Sequence, residues 1–411
     1  MIRIISEEEA PTVLGRSVDR VGEAMGISAP IVADVRLRGD EALKEYRQRF
    51  DLVALDEPLY LDAGGELEAD LQQAVEQASR NIQSFAEAQL VTSWMSEFSD
   101  GRSLGQLVRP LNSVGVYVPA GRYPLISTLL MAVIPAQVAG VQNIVVACPH
   151  PSREILAVAK MLGVKQILHA GGAQAIAAMA YGTESVKPVQ RIVGPGNAYV
   201  AAAKKLVSQD VAIDFVAGPS EILIVASQGN AQWIAADMLA QAEHDVDARA
   251  ILLTTDKEFA LRVQTEIEIQ LSSLSTVQIA QRAIIDNSAI VVCDTTDSAF
   301  DLVNTIAPEH LSVEQKSDIE RVNSAGSIFV GQYSTEAAGD YASGPNHILP
   351  TSGNAAVRGG LSVNDFVKVI TVQELSKTAL RELEPAVTAL ARAEGLEAHA
   401  RSVETRNDAT A

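Results

Sequence analysis

Cysteine is almost absent from this sequence: 411 residues include two, Cys148 and Cys293. Each ends an apolar, β-branched run, IVVAC and AIVVC, where a buried thiol is the ordinary expectation. Two such residues provide neither a disulfide framework nor a set of thiolate metal ligands. We therefore expect inert, buried thiols, and we do not predict that Cys148 is a nucleophile, although Pro149 and His150 follow it.

Basic residues are also few, with 32 Lys and Arg against 51 Asp and Glu and a net charge of −19. So acidic a chain is an unlikely partner for nucleic acid, although helix N-termini can still bind a phosphate-bearing cofactor. No apolar stretch approaches the roughly 18 uninterrupted residues that a membrane helix needs. The N-terminal MIRIISEEEA also lacks a basic segment followed by an apolar one. We expect a cytoplasmic protein without nucleic-acid or membrane partners.

The pattern of apolar residues changes near Val114. Residues before about 100 are charged, with apolar positions at helical spacing, which predicts a helical outer layer. From Val114 onwards, short β-branched runs alternate with Ala-rich helical segments, as in βαβ units around parallel sheets. No internal repeat is evident. The predicted strands begin near residues 114, 143, 166, 190, 222, 250, 289 and 327.

These strands predict an α/β fold with two Rossmann-like doubly wound domains, a helical N-terminal layer and a small helical C-terminal domain. After Gly360 the strand pattern stops, and two amphipathic helices are expected, joined near Gly395. So few residues cannot bury their own apolar stripe, and they must dock on this chain or on a second copy. The expected divisions are a short segment 1–14, a first Rossmann-like domain 15–117 with 221–357, a second 118–220, and the helical domain 358–411.

Histidine is scarce, with six in the chain, so its placement is informative. Gln241 and His244 of QAEHD are three residues apart in a predicted helix and should share a face, as ligands on a helix must. A solvated polar face is the alternative. Glu309 and His310 follow Ala307-Pro308, which predicts a rigid loop. An acid beside an imidazole suits proton transfer, and a hydrogen-bonded loop pair is the alternative.

Two further polar segments contain histidine. Asp340 and His347 lie in GDYASGPNH, whose glycines and prolines predict a tightly prescribed loop. Asp340 is a credible hard metal ligand, whereas a structural role is predicted for His347. His399 of EGLEAH lies in the C-terminal helical part, where a solvated helix face is the default.

The usual dinucleotide fingerprint, G-x-G-x-x-G after a strand, is absent. Three other glycine-bearing segments follow predicted strands: GVYVPAGRYP, HAGGAQA and VGPGNAY. They place backbone N–H groups at the carboxyl ends of strands, where open α/β sheets bind ligands.

Seven segments together resemble the histidinol dehydrogenase family, and the resemblance extends over almost the whole chain, from VRLRGDEALKEY to EGLEAH. In chain order they are GVYVPAGRYPL, AGGAQAIAAMAYGT, RIVGPGNAYVAAAK, AGPSEILIVA, LAQAEHD, APEHLSV and GDYASGPNHILPTSG. The chain departs from the family where its first cofactor segment reads Val-Pro-Ala-Gly instead of the common Pro-Gly-Gly, and its N-terminal region is short.

The resemblance implies a set of site residues. One Zn²⁺ per subunit would be held by Gln241, His244, Asp340 and His399. NAD would contact Tyr117, Gln174 and Asn197. The substrate would contact Ser220 and Glu394, together with the zinc ligands and the catalytic pair Glu309 and His310.

The implied activity is the NAD-dependent, four-electron oxidation of L-histidinol to L-histidine through a bound aldehyde, the final steps of histidine biosynthesis. His310 would take protons and Glu309 would activate water. The implied assembly is a homodimer in which the C-terminal part serves the partner's site. Two alternatives stay open: a paralogous zinc- and NAD-dependent dehydrogenase for another small polar alcohol, and a non-catalytic metal-binding or assembly protein.

Overall fold

The computed structural model describes residues 1–14, 20–119 and 125–408. The strands in these ranges are β1 (Arg3–Ser6), β2 (Tyr60–Asp62), β3 (Trp94–Glu97), β4 (Arg102–Pro110), β5 (Ser113–Tyr117), β6 (Asn143–Ala147), β7 (Gln166–Leu168), β8 (Arg191–Val193), β9 (Ala212–Ile213), β10 (Glu221–Val225), β11 (Arg249–Thr254), β12 (Ala289–Val292), β13 (His310–Val313), β14 (Ser327–Val330) and β15 (Val367–Leu375).

The helices in the same ranges are α1 (Ala10–Val13), α2 (Arg20–Arg38), α3 (Asp40–Phe50), α4 (Ala69–Ala88), α5 (Ile126–Val138), α6 (Arg153–Met161), α7 (Gly172–Tyr181), α8 (Ala198–Val207), α9 (Ala231–Ala242), α10 (Lys257–Leu271), α11 (Val277–Arg282), α12 (Thr296–Ile306), α13 (Glu336–Tyr341), α14 (Lys377–Ala393) and α15 (Glu397–Asp408). None of these helices is long and apolar enough to cross a bilayer.

The chain divides into two compact units. The first comprises Met1–Gln89 and Leu111–Phe366, and the second comprises Leu90–Pro110 and Val367–Ala411. The first unit contains two six-stranded sheets, and the second contains a three-stranded sheet with α14 and α15.

The first sheet has the strand order β1-β12-β11-β10-β13-β14, and all its strands are parallel. Its central strand β10, EILIV, is buried along its whole length, because helices cover both faces of the sheet. Apolar side chains of α9 and α10 pack on one face, and those of α12 pack on the other.

The second sheet has the order β2-β7-β6-β5-β8-β9, and only β2 runs antiparallel to its neighbour. Helices α4, α5 and α6 cover one face, and α2, α3, α7 and α8 cover the other. The two sheets share one plan. Apart from one edge strand that comes from earlier in the chain, β1 or β2, the chain starts in the middle, builds outwards to one side, and then returns to add two strands on the other side. The reversal lies between β10 and β13 in the first sheet and between β5 and β8 in the second.

The predicted fold class is confirmed, since both sheets are doubly wound, the N-terminal helices pack outside the second, and all eight predicted strands are present. The predicted domain limits stay a prediction, but strand pairing differs from them at one point. Strands β2 and β5, within the predicted division 15–117, pair in the second sheet instead of the first. The reason for β5 is that consecutive βαβ strands lie side by side, and α5 leads directly from β5 to β6.

The prediction that strand pattern stops after Gly360 is wrong. In the second unit, β15 pairs antiparallel with β4 from Val367↔Pro110 to Leu375↔Arg102, and β3 pairs with the other edge of β4. The β-branched run VKVITV of β15 is itself a local signal for a strand. Its partner β4, more than 250 residues away along the chain, is not evident from the sequence, and β15 runs into α14 across Ser376, the N-cap of that helix. The two predicted C-terminal helices are present, and Gly395, with φ 77°, lies between them.

Candidate active site

Chemistry-bearing side chains gather at the amino ends of β10 and β13 in the first sheet. Glu221 is the first residue of β10, and His310, the first of β13, lies one register step away, opposite Ile222. Helices α9 and α12 run antiparallel to the strands, from the carboxyl edge of the sheet to its amino edge. Their C-terminal ends therefore lie at the amino edge. His244 lies just after α9, one residue beyond the C-cap. It does not share a helix face with Gln241, contrary to the prediction.

The backbone that leads into the Glu309-His310 pair is strained and fixed. Ala307 ends α12 in the left-handed region, with φ 50° and ψ 66°, a conformation that costs a side-chain-bearing residue about 1 kcal/mol. Pro308 follows, and its carbonyl accepts a hydrogen bond of 2.9 Å from the Gly326 N–H. A Cβ on Gly326 would lie 2.5 Å from the Glu309 carbonyl oxygen. The pair is thus held rigidly, as predicted, but His310 already belongs to a strand.

The surroundings of His310 define which ring nitrogen is basic. Its Nδ1 lies 3.2 Å from the backbone carbonyl oxygen of Glu221, and because a carbonyl only accepts, Nδ1 must carry the hydrogen. In the neutral ring the lone pair is then on Nε2. That atom is buried, has no hydrogen-bond partner, and lies 3.6 Å from Asp340 Oδ1. The geometry suits a general base that takes a proton at Nε2.

Three carboxylates surround this imidazole. Glu336 Oε1 and Glu309 Oε2 lie 3.4 and 3.7 Å from Nδ1. Burial opposes a charge on His310, but Glu336, Glu309 and Asp340 outweigh burial and raise the pKa of the imidazole. Burial raises the pKa of Glu309 and of Glu336, and His310 opposes both shifts. Perturbed groups in such close contact are typical of proton-transfer sites.

The Glu309 carboxylate is oriented by the neighbouring strand. Its Oε2 accepts a hydrogen bond of 2.9 Å from the backbone N–H of Glu221. The Glu221 carboxylate is itself held, because Oε1 accepts from Ser352 N–H at 3.2 Å and Oε2 lies 3.8 Å from Arg249 Nη1. Ser220, a predicted substrate contact, directly precedes Glu221 at this edge.

A group of donors suited to a metal ion lies beside His310. One ligand atom each from His244, Glu336 and Asp340 lies within 4.8 Å of the other two, and His244 Nε2 is 3.9 Å from Asp340 Oδ2. Glu336 and Asp340 share a face of α13 because they are four residues apart. Imidazole nitrogen with carboxylate and amide oxygen is a sound donor set for Zn²⁺ without cysteine.

Gln241 completes this donor group from the last turn of α9. The amide is fully buried, and its oxygen faces both carboxylate oxygens of Glu336. The consistent orientation of the amide is the turned one, in which its nitrogen donates to Glu336 Oε2 at 3.2 Å. The turned amide frees its oxygen for a metal. The residues present therefore fit the zinc ion that the resemblance implies.

The predicted NAD residues lie elsewhere, at the carboxyl edge of the second sheet. Tyr117 ends β5, and its buried hydroxyl accepts a hydrogen bond of 3.1 Å from Gly172 N–H at the start of α7. Gln174, in the first turn of α7, is also buried and donates to Asp51 Oδ2 at 3.2 Å. These two buried side chains fix the backbone at the start of α7 from its buried side.

Asn197 is the exposed member of the predicted NAD set. It caps α8, and its side-chain oxygen accepts from the N–H groups of Tyr199 and Val200, both at 3.1 Å. Residues 120–124, part of the predicted cofactor segment GVYVPAGRYP, lie outside the described residues.

Two predicted site residues lie in the second unit. Glu394 is the C-cap of α14, His399 lies in the first turn of α15, and both are exposed. Their contact with substrate and zinc stays a prediction. His347, with a predicted structural role, places Nδ1 2.8 Å from the Asp340 carbonyl and so fixes the backbone at that residue.

Comparisons with known proteins decide the family. The sequence profile of histidinol dehydrogenase matches residues 15–407. The histidinol dehydrogenase of Geobacillus kaustophilus is 48% identical over 92% of this chain and 92% of its own. The chain belongs to the histidinol dehydrogenase family. Family membership makes it an oxidoreductase and implies the use of NAD.

Further relatives agree with the family. The histidinol dehydrogenase of Methanothermobacter thermautotrophicus is 44% identical over 94% of each chain. The crystal structure of histidinol dehydrogenase from Elizabethkingia anophelis superposes with a TM-score of 0.94, at 36% identity over 98% of both chains. The resemblance inferred from the seven segments is confirmed.

Sequence reasoning missed Glu336 and Glu221. The spacing of Glu336 to Asp340 in EAAGD was an available signal, because acids four residues apart share a helix face. Glu221 opens the apolar run EILIV, and an acid at the start of a buried strand must find partners.

Proposed function

We propose that this chain oxidises L-histidinol to L-histidine with two molecules of NAD, through a bound aldehyde, at the end of histidine biosynthesis in the cytoplasm. The observation that carries the proposal is the buried Nε2 of His310, which is directed at Asp340 within a metal-suited donor group in a chain of this family.

Zinc, one ion per subunit, would be held by Gln241, His244 and Asp340, with His399 as the fourth ligand. When bound, the ion supplies positive charge that fixes the imidazole and amino nitrogens of the substrate. Ser220, at the same edge, and Glu394 would contact the substrate. Tyr117, Gln174 and Asn197 would form the NAD site, and NAD supplies the acceptor for each hydride when bound.

The first oxidation uses His310 as the base. Nε2 takes the hydroxyl proton while the carbinol carbon loses a hydride, which leaves the aldehyde, NADH and an imidazolium. The Nδ1 hydrogen keeps its bond to the Glu221 carbonyl throughout, and Glu336 and Glu309 stabilise the positive ring. The proton then leaves to solvent before the second cycle.

The second oxidation needs water. Glu309, anchored through Oε2 by the Glu221 N–H, takes a proton from water as it adds to the aldehyde carbonyl and returns that proton to the carbonyl oxygen, so the product is the hydrate. His310 then takes a hydroxyl proton from the hydrate as the second hydride leaves, and the resulting acid ionises to the carboxylate. In sum, the alcohol, one water and two NAD⁺ give the carboxylate, two NADH and three protons.

Exposed apolar surface supports a homodimer. In the second unit, large side chains on β3, β15 and α14 stay exposed, among them Trp94 at 48%, Val369 at 49% and Leu390 at 66%. Such exposure in one small unit is typical of a subunit interface. A second copy that covers this surface would allow Glu394 and His399 to serve the partner's site.

The test is to incubate the purified, zinc-loaded protein with histidinol and NAD⁺ and to measure NADH and zinc. Two NADH per histidinol and one zinc per subunit are expected. Turnover of another small polar alcohol, but not of histidinol, would favour the paralogous dehydrogenase. No turnover of any alcohol in a panel would favour the non-catalytic alternative.

A further inference from the structure

A buried ion pair lies at the carboxyl end of β8. Lys204 on α8 and Asp214, directly after β9, are 2% and 3% exposed, and the Lys204 ammonium contacts the Asp214 carboxylate. Asp214 Oδ1 also accepts from the Phe215 N–H at 2.6 Å. Lys and Asp are almost never this deeply buried unless they are paired.

Both members of the pair hold one residue, Gly194. Its N–H donates to Asp214 Oδ2 at 2.8 Å, and its carbonyl accepts from Lys204 Nζ at 2.9 Å. Gly194 has φ 116°, and a Cβ there would lie 2.2 Å from the Tyr117 carbonyl oxygen. The two charges therefore pin a conformation that glycine alone adopts, against the end of β5.

The pinned residue lies where ligand binding is expected. The strand order of the second sheet reverses between β5 and β8, and open α/β sheets bind ligands outside the carboxyl ends of strands at such a reversal. Gly194 begins the segment Gly194-Pro195-Gly196-Asn197, which leads directly into α8. The position of Gly194 thus sets where Asn197 and the start of α8 lie.

Packing alone does not require these charges. An apolar pair of similar volume usually stabilises a fold as well as a buried ion pair does, because burying two ions is costly. An apolar pair, however, would leave the N–H and C=O of Gly194 without partners.

We infer that Lys204 and Asp214 are a positioning pair for NAD: they fix the Gly194–Asn197 segment so that Asn197 and the start of α8 meet the dinucleotide. The inference rests on the proposed function, because the contact between Asn197 and NAD belongs to that proposal. The pair touches neither NAD nor histidinol and acts through the backbone of Gly194.

The test compares the zinc-loaded wild type with the double variant Lys204→Met/Asp214→Leu, which removes both charges together and leaves neither one unpaired. We expect the KM for NAD⁺ and the Kd for NADH to rise about tenfold, since two hydrogen bonds to the segment are lost. The KM for histidinol, the zinc content and kcat at saturating NAD⁺ should stay within about twofold. Binding of NADH is followed by its fluorescence.

The matched control is Arg191→Met, which breaks an ion pair of 2.7 Å with Asp365 at the amino end of the same strand. It should leave the Kd for NADH unchanged. Should the double variant not fold, Lys204→Met/Asp214→Asn keeps an acceptor for the Gly194 N–H and should show the same selective change at about threefold.

An unchanged Kd for NADH in a folded double variant would overturn the inference. So would an equal loss of kcat and of affinity for both substrates, since that pattern describes a pair that only supports the fold. Failure of the proposed function is distinct, because it would appear in the wild type as absence of NADH formation from histidinol.

Discussion

The two sheets of the first unit share a strand order but place their site residues at opposite edges. In the second sheet, the predicted NAD residues lie at the carboxyl edge, where α7 and α8 begin. In the first sheet, His310 and the donor group lie at the amino edge, where α9 and α12 end. Helix N-termini carry partial positive charge and helix C-termini carry partial negative charge. One edge therefore suits a dinucleotide pyrophosphate, and the other suits a metal cation and an imidazolium.

This comparison explains how one plan supports two kinds of chemistry. Doubly wound sheets usually bind ligands at the carboxyl edge, and the NAD site proposed for the second sheet follows that rule. The site proposed for the first sheet departs from it because buried acids lie at the beginnings of its central strands, Glu221 on β10 and Glu309 before β13. Together with Glu336 they place at the amino edge a cluster of carboxyl groups that can stabilise a cation.

Among the variants that distinguish the sites at the two edges, His310→Ala is expected to have the largest effect on activity. Loss of the base at Nε2 should lower kcat by about a thousandfold, within the usual range for a general base. Zinc content and the Kd for NADH should not change, because neither depends on the imidazole. Stopped-flow NADH formation and metal analysis provide the measurements. If His310→Ala also lowered the affinity for NADH, the sites at the two edges would not be independent.

Glu336→Ala tests the residue that orients Gln241. Removal of a partner behind a metal ligand typically lowers metal affinity about 10- to 100-fold, and we expect this for zinc, measured by competition with a chromogenic chelator. Glu314→Ala is the control, since Glu314 follows the carboxyl end of β13, at the opposite edge. Equal zinc affinities for both variants would contradict the assignment of Glu336.

Tyr117→Phe probes the other edge with a smaller change. The variant loses the hydrogen bond from Gly172 N–H to the Tyr117 hydroxyl, worth about 1 kcal/mol. We expect the KM for NAD⁺ to rise about fivefold while the KM for histidinol stays constant. Steady-state kinetics with each substrate varied in turn decides this. A change confined to the KM for histidinol would contradict the assignment of Tyr117 to the NAD site.

The smallest effect is expected from Cys148→Ala. Burial raises the pKa of the Cys148 thiol to about 12, so almost no thiolate exists at pH 8 and alkylation should be slow. Activity should stay within about twofold of the wild type, before and after treatment with iodoacetamide. Rapid inactivation of the wild type, absent in the variant, would reveal a reactive cysteine that the structure does not explain.

The sequence was sufficient for the strands whose signal is local. Runs such as ILIVA and IVVAC are apolar throughout because parallel strands are covered on both faces, and each lies where it was predicted. The pairing of β15 with β4 was not predictable, since it depends on residues far apart in the chain. The common strand order of the sheets was also invisible, because the sequence shows no repeat and the plan appears only in the pairing.

The candidate site also has a part that the sequence predicts and a part that it does not. Gln241, His244 and Asp340 were inferred from motif resemblance, and the structure brings them to one edge. The choice of Nε2 as the basic atom of His310 depends on the Glu221 carbonyl, which reaches it through strand pairing. No spacing in the sequence connects residues 221 and 310, so the sequence alone does not show which ring nitrogen is basic.

The central claim is that the amino edge of the first sheet binds a zinc ion beside His310. Anomalous diffraction at the zinc edge, from crystals grown with zinc and histidinol, tests it most directly. We expect one strong peak per subunit, bonded to Gln241, His244 and Asp340, with the substrate carbinol next to His310 Nε2. A peak elsewhere, or a fully active enzyme with no peak at these residues, would contradict it.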